Sequence, residues 1–236
     1  MRDLFIADAH LLDPADENYR KLLAFLREQG PQTRTLYLLG DIFEFWVGYR
    51  HTVFSAYIPL LEQLRRIREG GTDIVFVEGN HDFHLGPYFE QVLGCRVLPD
   101  GGTVEIDGLK VSLDHGDQLN PADHGYRLLR AVLRSRPLRG LIGLLPPDWS
   151  WAFARRASRM SQKKRAARRD RWDPRQLLLE HARRRFAEGA DAVVTGHFHT
   201  PLFDRSEGKP LIALGDWITA YSYAVFEDGA FSLNQF

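Results

Sequence analysis

The chain has 236 residues, of which 44% are hydrophobic, so it can bury a sizeable core. Its single cysteine, Cys95, excludes a disulfide framework and a cysteine-type zinc site, and we expect it to be a small buried apolar side chain. No apolar run predicts a secretory signal or a membrane-spanning helix, so we expect a cytoplasmic protein.

The formal net charge is zero, but the charges are unevenly distributed. Residues 127–185 contain 18 Lys and Arg residues against 4 Asp and Glu residues. A run of charge usually marks a solvated helix face. A block as one-sided as this favours a surface that faces an anion.

Short apolar runs alternate with helical patterns along the chain. Helical spacing of apolar residues, followed by glycine, predicts helices over 17–30 and 55–71. The alternation predicts βαβ units and two packed sheets with helices outside. Residues 201–236 change to short strands joined by turns, which we expect to be antiparallel. The runs that predict buried strands are 3–8, 35–41, 73–80, 110–117 and 191–197.

Residues 121–189 interrupt this pattern and predict a helical insertion that is rich in Arg, Leu and Trp. Its apolar residues either pack inward as a small helical subdomain or form an amphipathic cap that meets a lipid or membrane surface. We expect His181, on an exposed basic helix of this segment, to have no role in a site. The same holds for His84, which we expect to begin a helix.

Polar side chains with metal-binding potential follow all five predicted strands. In open α/β sheets, ligands bind beyond the carboxyl ends of the strands. Taken singly, each residue has an ordinary explanation, since Asp8 could cap a helix and Asp41 could form a turn. Five such strand ends together indicate one site, formed by Asp8, His10, Asp41, Asn80, His81, Asp82, His115, His197 and His199.

Imidazole mixed with carboxylate suits Mn, Fe or Zn, whereas an all-oxygen set would suit Mg or Ca. Without His81 and Asp82 the site has seven donors, which are too many for one ion, and a shared carboxylate can bridge two ions about 3.5–4 Å apart. Such a pair activates water to attack phosphorus in line. In "TGHFHT" we expect His197 and His199 to face the site from an extended segment while Phe198 turns away.

The motifs D-x-H, G-D, G-N-H-D, H-G-D and G-H-x-H, in this order, resemble those of the calcineurin-like metallophosphoesterases. The resemblance implies a four-layer αββα sandwich of two mixed β-sheets, with the insertion as a helical cap on one metallophosphoesterase domain (1–236). It implies two divalent metal ions, for which we expect Mn, with Fe or Zn as alternatives. One ion would be held by Asp8, His10 and His199, the other by Asn80, His115 and His197, with Asp41 bridging.

By the same resemblance, His81 would be a general acid or transition-state stabiliser, and Asp82 would orient it. The stretches "LFIADAHL", "LGDIFEFWVG", "HGDQL" and "GHFHTP" are similar to those of bacterial UDP-2,3-diacylglucosamine diphosphatases. Those enzymes release UMP and 2,3-diacylglucosamine 1-phosphate in lipid A biosynthesis. Their cap takes up acyl chains, which implies a lipid-linked nucleotide-sugar substrate and peripheral contact with the inner membrane. The implied substrate contacts are Asn80, His81, Asp123, Ser161, Arg165 and Arg168.

Two positions depart from that pattern, because His81 stands where those enzymes have Arg, and Tyr49 stands where an acidic residue is typical. The departure leaves open another phosphodiester, such as a nucleotide or nucleic acid. Nucleic acid is disfavoured because the basic block lacks an aromatic stacking platform. A non-enzymatic scaffold is disfavoured because all seven donors are present, and no protein partner is predicted.

Overall fold

Two β-sheets face each other in the computed structural model, which describes residues 1–152, 156, 173–205 and 207–236. The first sheet contains β1 (Arg2–Ile6), β2 (Thr33–Leu39), β3 (Asp73–Val77), β4 (Arg96–Leu98), β10 (Ser222–Glu227) and β11 (Ala230–Gln235). The second contains β5 (Gly102–Ile106), β6 (Leu109–Asp114), β7 (Ala192–Thr195), β8 (Pro201–Asp204) and β9 (Leu211–Leu214).

The strand order is β11-β10-β1-β2-β3-β4 in the first sheet and β5-β6-β7-β9-β8 in the second. The run from β1 to β4 is parallel, as are β6, β7 and β9, while the remaining pairs are antiparallel. Both sheets are therefore mixed, as expected. The strand pairs within the C-terminal segment, β8 with β9 and β10 with β11, are antiparallel as expected, and β9 also pairs in parallel with β7.

Alternating side chains divide the strands between two cores. Phe5, Tyr37 and Val75 point between the sheets and pack with residues such as Val111 and Val194 of the second sheet. Their neighbours Leu4, Leu36 and Ile74 point outward to the helices. Because strand side chains alternate with period two, a continuous apolar run serves both faces.

Helices cover the outer faces. α1 (Glu17–Gln29) and α2 (Ile58–Glu69) lie on the first sheet and bury leucine and aromatic side chains at helical spacing, among them Leu22 and Leu64. α5 (Pro174–Ala187) lies on the second sheet, where Leu178 packs in one cluster with β7 and β9 residues. The four-layer αββα sandwich is confirmed. π-helical residues Tyr88–Val92 precede β4, and short 3₁₀ helices span Gly30–Gln32 and Ser55–Tyr57.

The predicted insertion over 121–189 is too long, because its last helix, α5, is a layer of the sandwich. His181 on α5 is only 6% exposed and its Nε2 lies 2.7 Å from Asp114 Oδ2, so its placement on an exposed helix is wrong. A helix that connects two adjacent parallel strands must pack back on the sheet. The three consecutive arginines at 183–185 made the helix look exposed in the sequence, although its face with Leu178 and His181 is buried. His84 does not begin a helix either, since it lies in a loop with a φ of 59°.

The insertion proper begins with α3 (His124–Leu133) and α4 (Arg136–Leu144), followed by helical residues 147–152. The apolar residues of the insertion divide between packed and exposed positions. Trp151 packs against Phe54, with ring centroids 5.0 Å apart, whereas Trp149 is 70% exposed. Among the described residues, no helix is long and apolar enough to cross a bilayer. Cys95 is buried, as predicted.

Candidate metal centre

The loops that follow β1, β2, β3, β6 and β7 meet at one edge of the sandwich. There the structure brings the seven predicted ligands together. The part of the chain that is described contains three groups of possible ligand atoms, and within each group the atoms lie within 4.8 Å of one another. The groups are Asp8 with His10 and His199, Asp41 with His115 and His197, and His10 with Glu44 and His81.

The backbone at this edge is strained. Asp8, His10, Asp41, His197 and His199 have φ values of 54°, 46°, 52°, 74° and 55°. Residues other than glycine rarely adopt this left-handed region, and such strain persists only where the surrounding structure enforces it. Strain concentrated at five predicted ligands supports a functional role for the site.

The histidines of the "TGHFHT" stretch reach the site in a different way from the predicted one. β7 ends at Thr195, and the left-handed conformations of His197 and His199 mean that the segment is not extended. The two imidazoles nevertheless lie in different ligand groups. Phe198 packs on the outer face of the second sheet.

The first group contains a buried carboxylate oxygen that has no hydrogen-bond donor. Asp8 Oδ2 accepts from the backbone N–H of His197 at 2.7 Å, but Asp8 Oδ1 has no hydrogen-bond partner. His199 Nε2 lies 3.5 Å from that oxygen and 3.4 Å from His10 Nε2. A buried acceptor without a donor is costly, and a cation between these three side chains would satisfy it.

The second group is joined to the first by one oxygen atom. Asp41 Oδ2 lies 3.4 Å from His115 Nε2 and 3.7 Å from His10 Nε2, so a single carboxylate faces both groups. His115 Nε2 is also 3.2 Å from Asn80 Oδ1 and 3.3 Å from His197 Nδ1. This arrangement suits a carboxylate that bridges two ions.

Burial sets the protonation of several of these ligands. It lowers the pKa of His197 to about 3 and also lowers the pKa of His10, so both imidazoles are neutral at neutral pH and present lone pairs. Burial raises the pKa of Asp8 to about 7, a cost that a bound cation would remove. Burial also acts to raise the pKa of Asp41, but the imidazoles of His115 and His81 outweigh it and hold that pKa low.

Groups behind the histidines fix their orientation. His10 Nδ1 lies 3.0 Å from Glu44 Oε2, and His115 Nδ1 donates to the carbonyl of Leu39 at 2.8 Å. His199 Nδ1 lies 3.6 Å from Asp216 Oδ2. Each ring therefore directs Nε2 into the centre, as in metal sites whose outer partners orient the ligands. Sequence reasoning missed the roles of Glu44 and Asp216, although "GDIFEFW" and "LGDW" contain them.

Asp82 has partners other than the expected one. Its carboxylate accepts backbone N–H groups of Gly79 at 2.9 Å, Asp41 at 3.0 Å and Ile42 at 2.8 Å, and so ties together the loops after β2 and β3. The expectation that Asp82 orients His81 stays a prediction. The carbonyl of Glu44, 2.8 Å from His81 Nδ1, orients that ring.

Glycine is required at this junction. A Cβ on Gly79 would lie 2.3 Å from Asp41 Oδ1, so any side chain there would displace the carboxylate that faces both ligand groups. The Gly of the G-N-H-D motif is explained by this close approach.

A cavity of about 390 Å³ adjoins the second group. Asn80, His81 and Asp123, three of the predicted substrate contacts, line it together with α3 residues such as Leu129 and Leu133. Asp123 is also the N-cap of α3, where it accepts from the backbone N–H of Tyr126 at 3.0 Å. The predicted contacts Ser161, Arg165 and Arg168 lie outside the described residues.

Known proteins are similar to this chain over most of its length. A relative from Neisseria meningitidis serogroup B, named UDP-2,3-diacylglucosamine hydrolase, is 33% identical over 95% of this chain and 93% of its own. A protein of the same name from Stenotrophomonas maltophilia is 33% identical over 99% of this chain and 98% of its own. Among solved structures, an archaeal phosphodiesterase aligns over 99% of both chains with 15% identity and a TM-score of 0.49.

The family assignment rests on sequence. The family description "Calcineurin-like phosphoesterase" matches residues 1–201, which include every ligand group described above. The chain therefore belongs to the calcineurin-like phosphoesterases, a family of hydrolases.

Proposed function

We propose that the chain hydrolyses the pyrophosphate bond of UDP-2,3-diacylglucosamine to UMP and 2,3-diacylglucosamine 1-phosphate, a step of lipid A biosynthesis. The observation that carries the proposal is the position of Asp41 Oδ2 between the two ligand groups, beside a cavity with a wall of basic and apolar side chains. Relatives of nearly full-length similarity carry the name of that activity.

The ligand set fits two ions of the Mn class, with Fe or Zn as alternatives. Asp8, His10 and His199 would hold one ion, Asn80, His115 and His197 the other, and Asp41 would bridge them. Bound there, two such ions would polarise phosphoryl oxygens and activate water for attack on phosphorus. The donorless Oδ1 of Asp8 and the neutral imidazoles of His10 and His197 support this assignment.

His81 is placed to act on the substrate phosphate. Its Nδ1 donates to the carbonyl of Glu44, and this leaves Nε2 facing the centre, 4.0 Å from Asp41 Oδ2. A proton on Nε2 could be donated to a phosphoryl or leaving-group oxygen. Asp82 contributes indirectly, because it fixes the loops that carry Asp41 and Asn80.

The insertion would recognise the rest of the substrate. Asp123 lines the cavity beside Asn80 and His81, and α3 adds apolar wall from Leu129 and Leu133. Ser161, Arg165 and Arg168 remain predicted substrate contacts of the insertion. Exposed leucines on α3 and α4 support peripheral contact with the cytoplasmic face of the inner membrane, where a diacylated substrate lies.

One Mn²⁺ assay on UDP-2,3-diacylglucosamine, the deacylated UDP-sugar and single-stranded DNA tests this proposal. Burial of several acyl methylenes is worth more than about 2.7 kcal/mol, so we expect kcat/KM at least about 100-fold higher for the diacylated substrate than for the deacylated one. Equal rates on both, or preferred cleavage of DNA, would reject the proposed substrate. A protein that cleaves none of the three would reject the proposed reaction.

A further inference from the structure

Two arginines of the first insertion helix, α3, form hydrogen bonds and ion pairs with the loops that carry predicted metal ligands. Arg130 on α3 and Arg134, the C-cap residue of α3 one turn further along, are each 13% exposed, and both pair with carboxylates of the sandwich. We propose that α3 is a positioning element for the metal centre, so that the substrate-facing cap also sets the geometry of Asn80 and His115. The inference rests on the proposed two-metal function and adds to it.

Arg134 contacts the loop that leads into Asn80. Its Nη2 donates to the carbonyl of Gly79 at 3.0 Å, which is the peptide group that joins Gly79 to Asn80. Its Nη1 donates to Glu78 Oε2 at 2.9 Å and to the carbonyl of Pro99 at 2.7 Å. One planar guanidinium thus fixes the loop before Asn80 against the segment that follows β4.

Glu78 connects the guanidinium of Arg134 to the far end of the same loop. It is 6% exposed, and its Oε1 accepts the backbone N–H of Leu85 at 2.9 Å while Oε2 accepts from Arg134. The loop from Glu78 to Leu85, with Asn80, His81 and Asp82 inside it, is therefore closed at both ends by one carboxylate. Loss of Arg134 would leave that carboxylate buried without its cation.

A second contact secures the loop after His115. Asp117 Oδ2 accepts from Arg130 Nε at 2.8 Å and from the hydroxyl of Tyr126. Both donors lie on α3, and Asp117 follows the ligand His115 by two residues. The contact at Asp117 positions the loop of His115, and the contact at Gly79 positions the loop of Asn80. Both contacts come from the same helix, and the two ligands meet where His115 Nε2 lies 3.2 Å from Asn80 Oδ1.

Arg134→Ala tests the inference, with Arg127→Ala as the matched control, since Arg127 is exposed on the same helix. Mn²⁺ affinity is measured by calorimetry without substrate, and kcat and KM are measured on the soluble diester bis(4-nitrophenyl) phosphate. We expect Arg134→Ala to weaken the affinity for Mn²⁺ by about 10-fold or more, in the range of outer-shell changes at metal sites. Arg127→Ala should match the wild type.

Glu78→Gln keeps the shape of the side chain and the acceptor for Leu85 N–H, so it covers the case in which Arg134→Ala does not fold. It should weaken Mn²⁺ binding in the same direction. If both variants fold and bind Mn²⁺ like Arg127→Ala, the positioning role is rejected. A raised KM with unchanged Mn²⁺ affinity would make Arg134 only a substrate contact and would also reject it. A wild-type protein that binds no Mn²⁺ would instead reject the proposed function.

Discussion

The first two helices of the insertion have similar compositions and different surroundings. α3 directs Arg130 and Arg134 into ion pairs with the sandwich, whereas Arg136 and Arg139 of α4 are exposed. Both helices also expose apolar side chains, and Leu144 at the end of α4 is 83% exposed.

The difference shows that the basic segment contains arginines in two environments, some paired with carboxylates and others exposed. Arg130 and Arg134 are partners of carboxylates near the metal centre, so they are part of the architecture of the site. Those of α4 are available to a phosphate or an anionic surface, beside leucines that the described residues leave uncovered. We therefore expect changes to Arg130 and Arg134 to alter the centre itself, and changes on α4 to alter only the handling of the lipid.

The largest effect should come from the centre that α3 adjoins. Asp41→Ala removes the only carboxylate shown here to face both ligand groups in the described chain, so metal content should fall below two ions per chain. Several kcal/mol of transition-state stabilisation would be lost, which lowers kcat by about 1,000-fold or more. Elemental analysis and a diester assay measure both quantities.

The control is Asp73→Ala, because Asp73 is exposed at the opposite end of β3. It should keep both metal and rate. Full metal content and full rate in Asp41→Ala would contradict the two-metal account.

The pH dependence of Mn²⁺ affinity distinguishes the contribution of the histidine ligands from that of the arginine contacts of α3. Burial acts to lower the pKa of His115, but Asp41 outweighs it and raises this pKa well above 6.5. The imidazole is then protonated at neutral pH without metal, and an ion must displace that proton. Mn²⁺ affinity should fall by up to about 10-fold per pH unit below the raised pKa of His115, and more steeply below about pH 7, where Asp8 is protonated as well.

Calorimetry in buffers of different ionisation enthalpy reports the proton released on binding. Arginine stays charged throughout this range, so Arg127→Ala should show the same slope as the wild type. A pH-independent affinity for Mn²⁺ would show that His115 is not a ligand.

A smaller effect should follow from the outward leucines of α4. Leu141→Ser with Leu144→Ser changes side chains that are 58% and 83% exposed, so the free energy of unfolding should change by less than about 0.5 kcal/mol each. Turnover of the diacylated substrate in vesicles should fall by about 10-fold, since each leucine contributes about 1.5 kcal/mol or less of apolar burial.

The soluble diester is the internal control, and its turnover should not change. Leu64→Ala is the matched core change, and loss of this fully buried side chain should cost about 2–5 kcal/mol of stability. Equal losses on the lipid and on the soluble diester would contradict the division between α3 and α4.

Much of the fold and the site's membership could be predicted from sequence. Apolar runs mark strands buried on both faces, and carboxyl ends of parallel strands share an edge, so Asp8, Asp41 and Asn80 had to meet. The geometry could not be predicted. His197 and His199 adopt left-handed conformations that periodicity cannot show, so the predicted extended segment was wrong, and their imidazoles lie in different groups of possible ligand atoms.

Contacts between residues that are distant in the sequence could not be predicted either. Asp82 binds backbone amides from a second loop, and His181 binds Asp114 across 67 positions of sequence. A charge run likewise does not show that Arg130 and Arg134 are paired while Arg139 is exposed. Such contacts depend on side-chain directions that are set only when distant loops pack together.

Anomalous diffraction from crystals grown with Mn²⁺ tests the central claim most directly. Two peaks are expected, about 3.5–4 Å apart, on either side of the Asp41 carboxylate. One should contact Asp8, His10 and His199, and the other Asn80, His115 and His197. A single peak, or a peak between His10, Glu44 and His81 alone, would contradict the account.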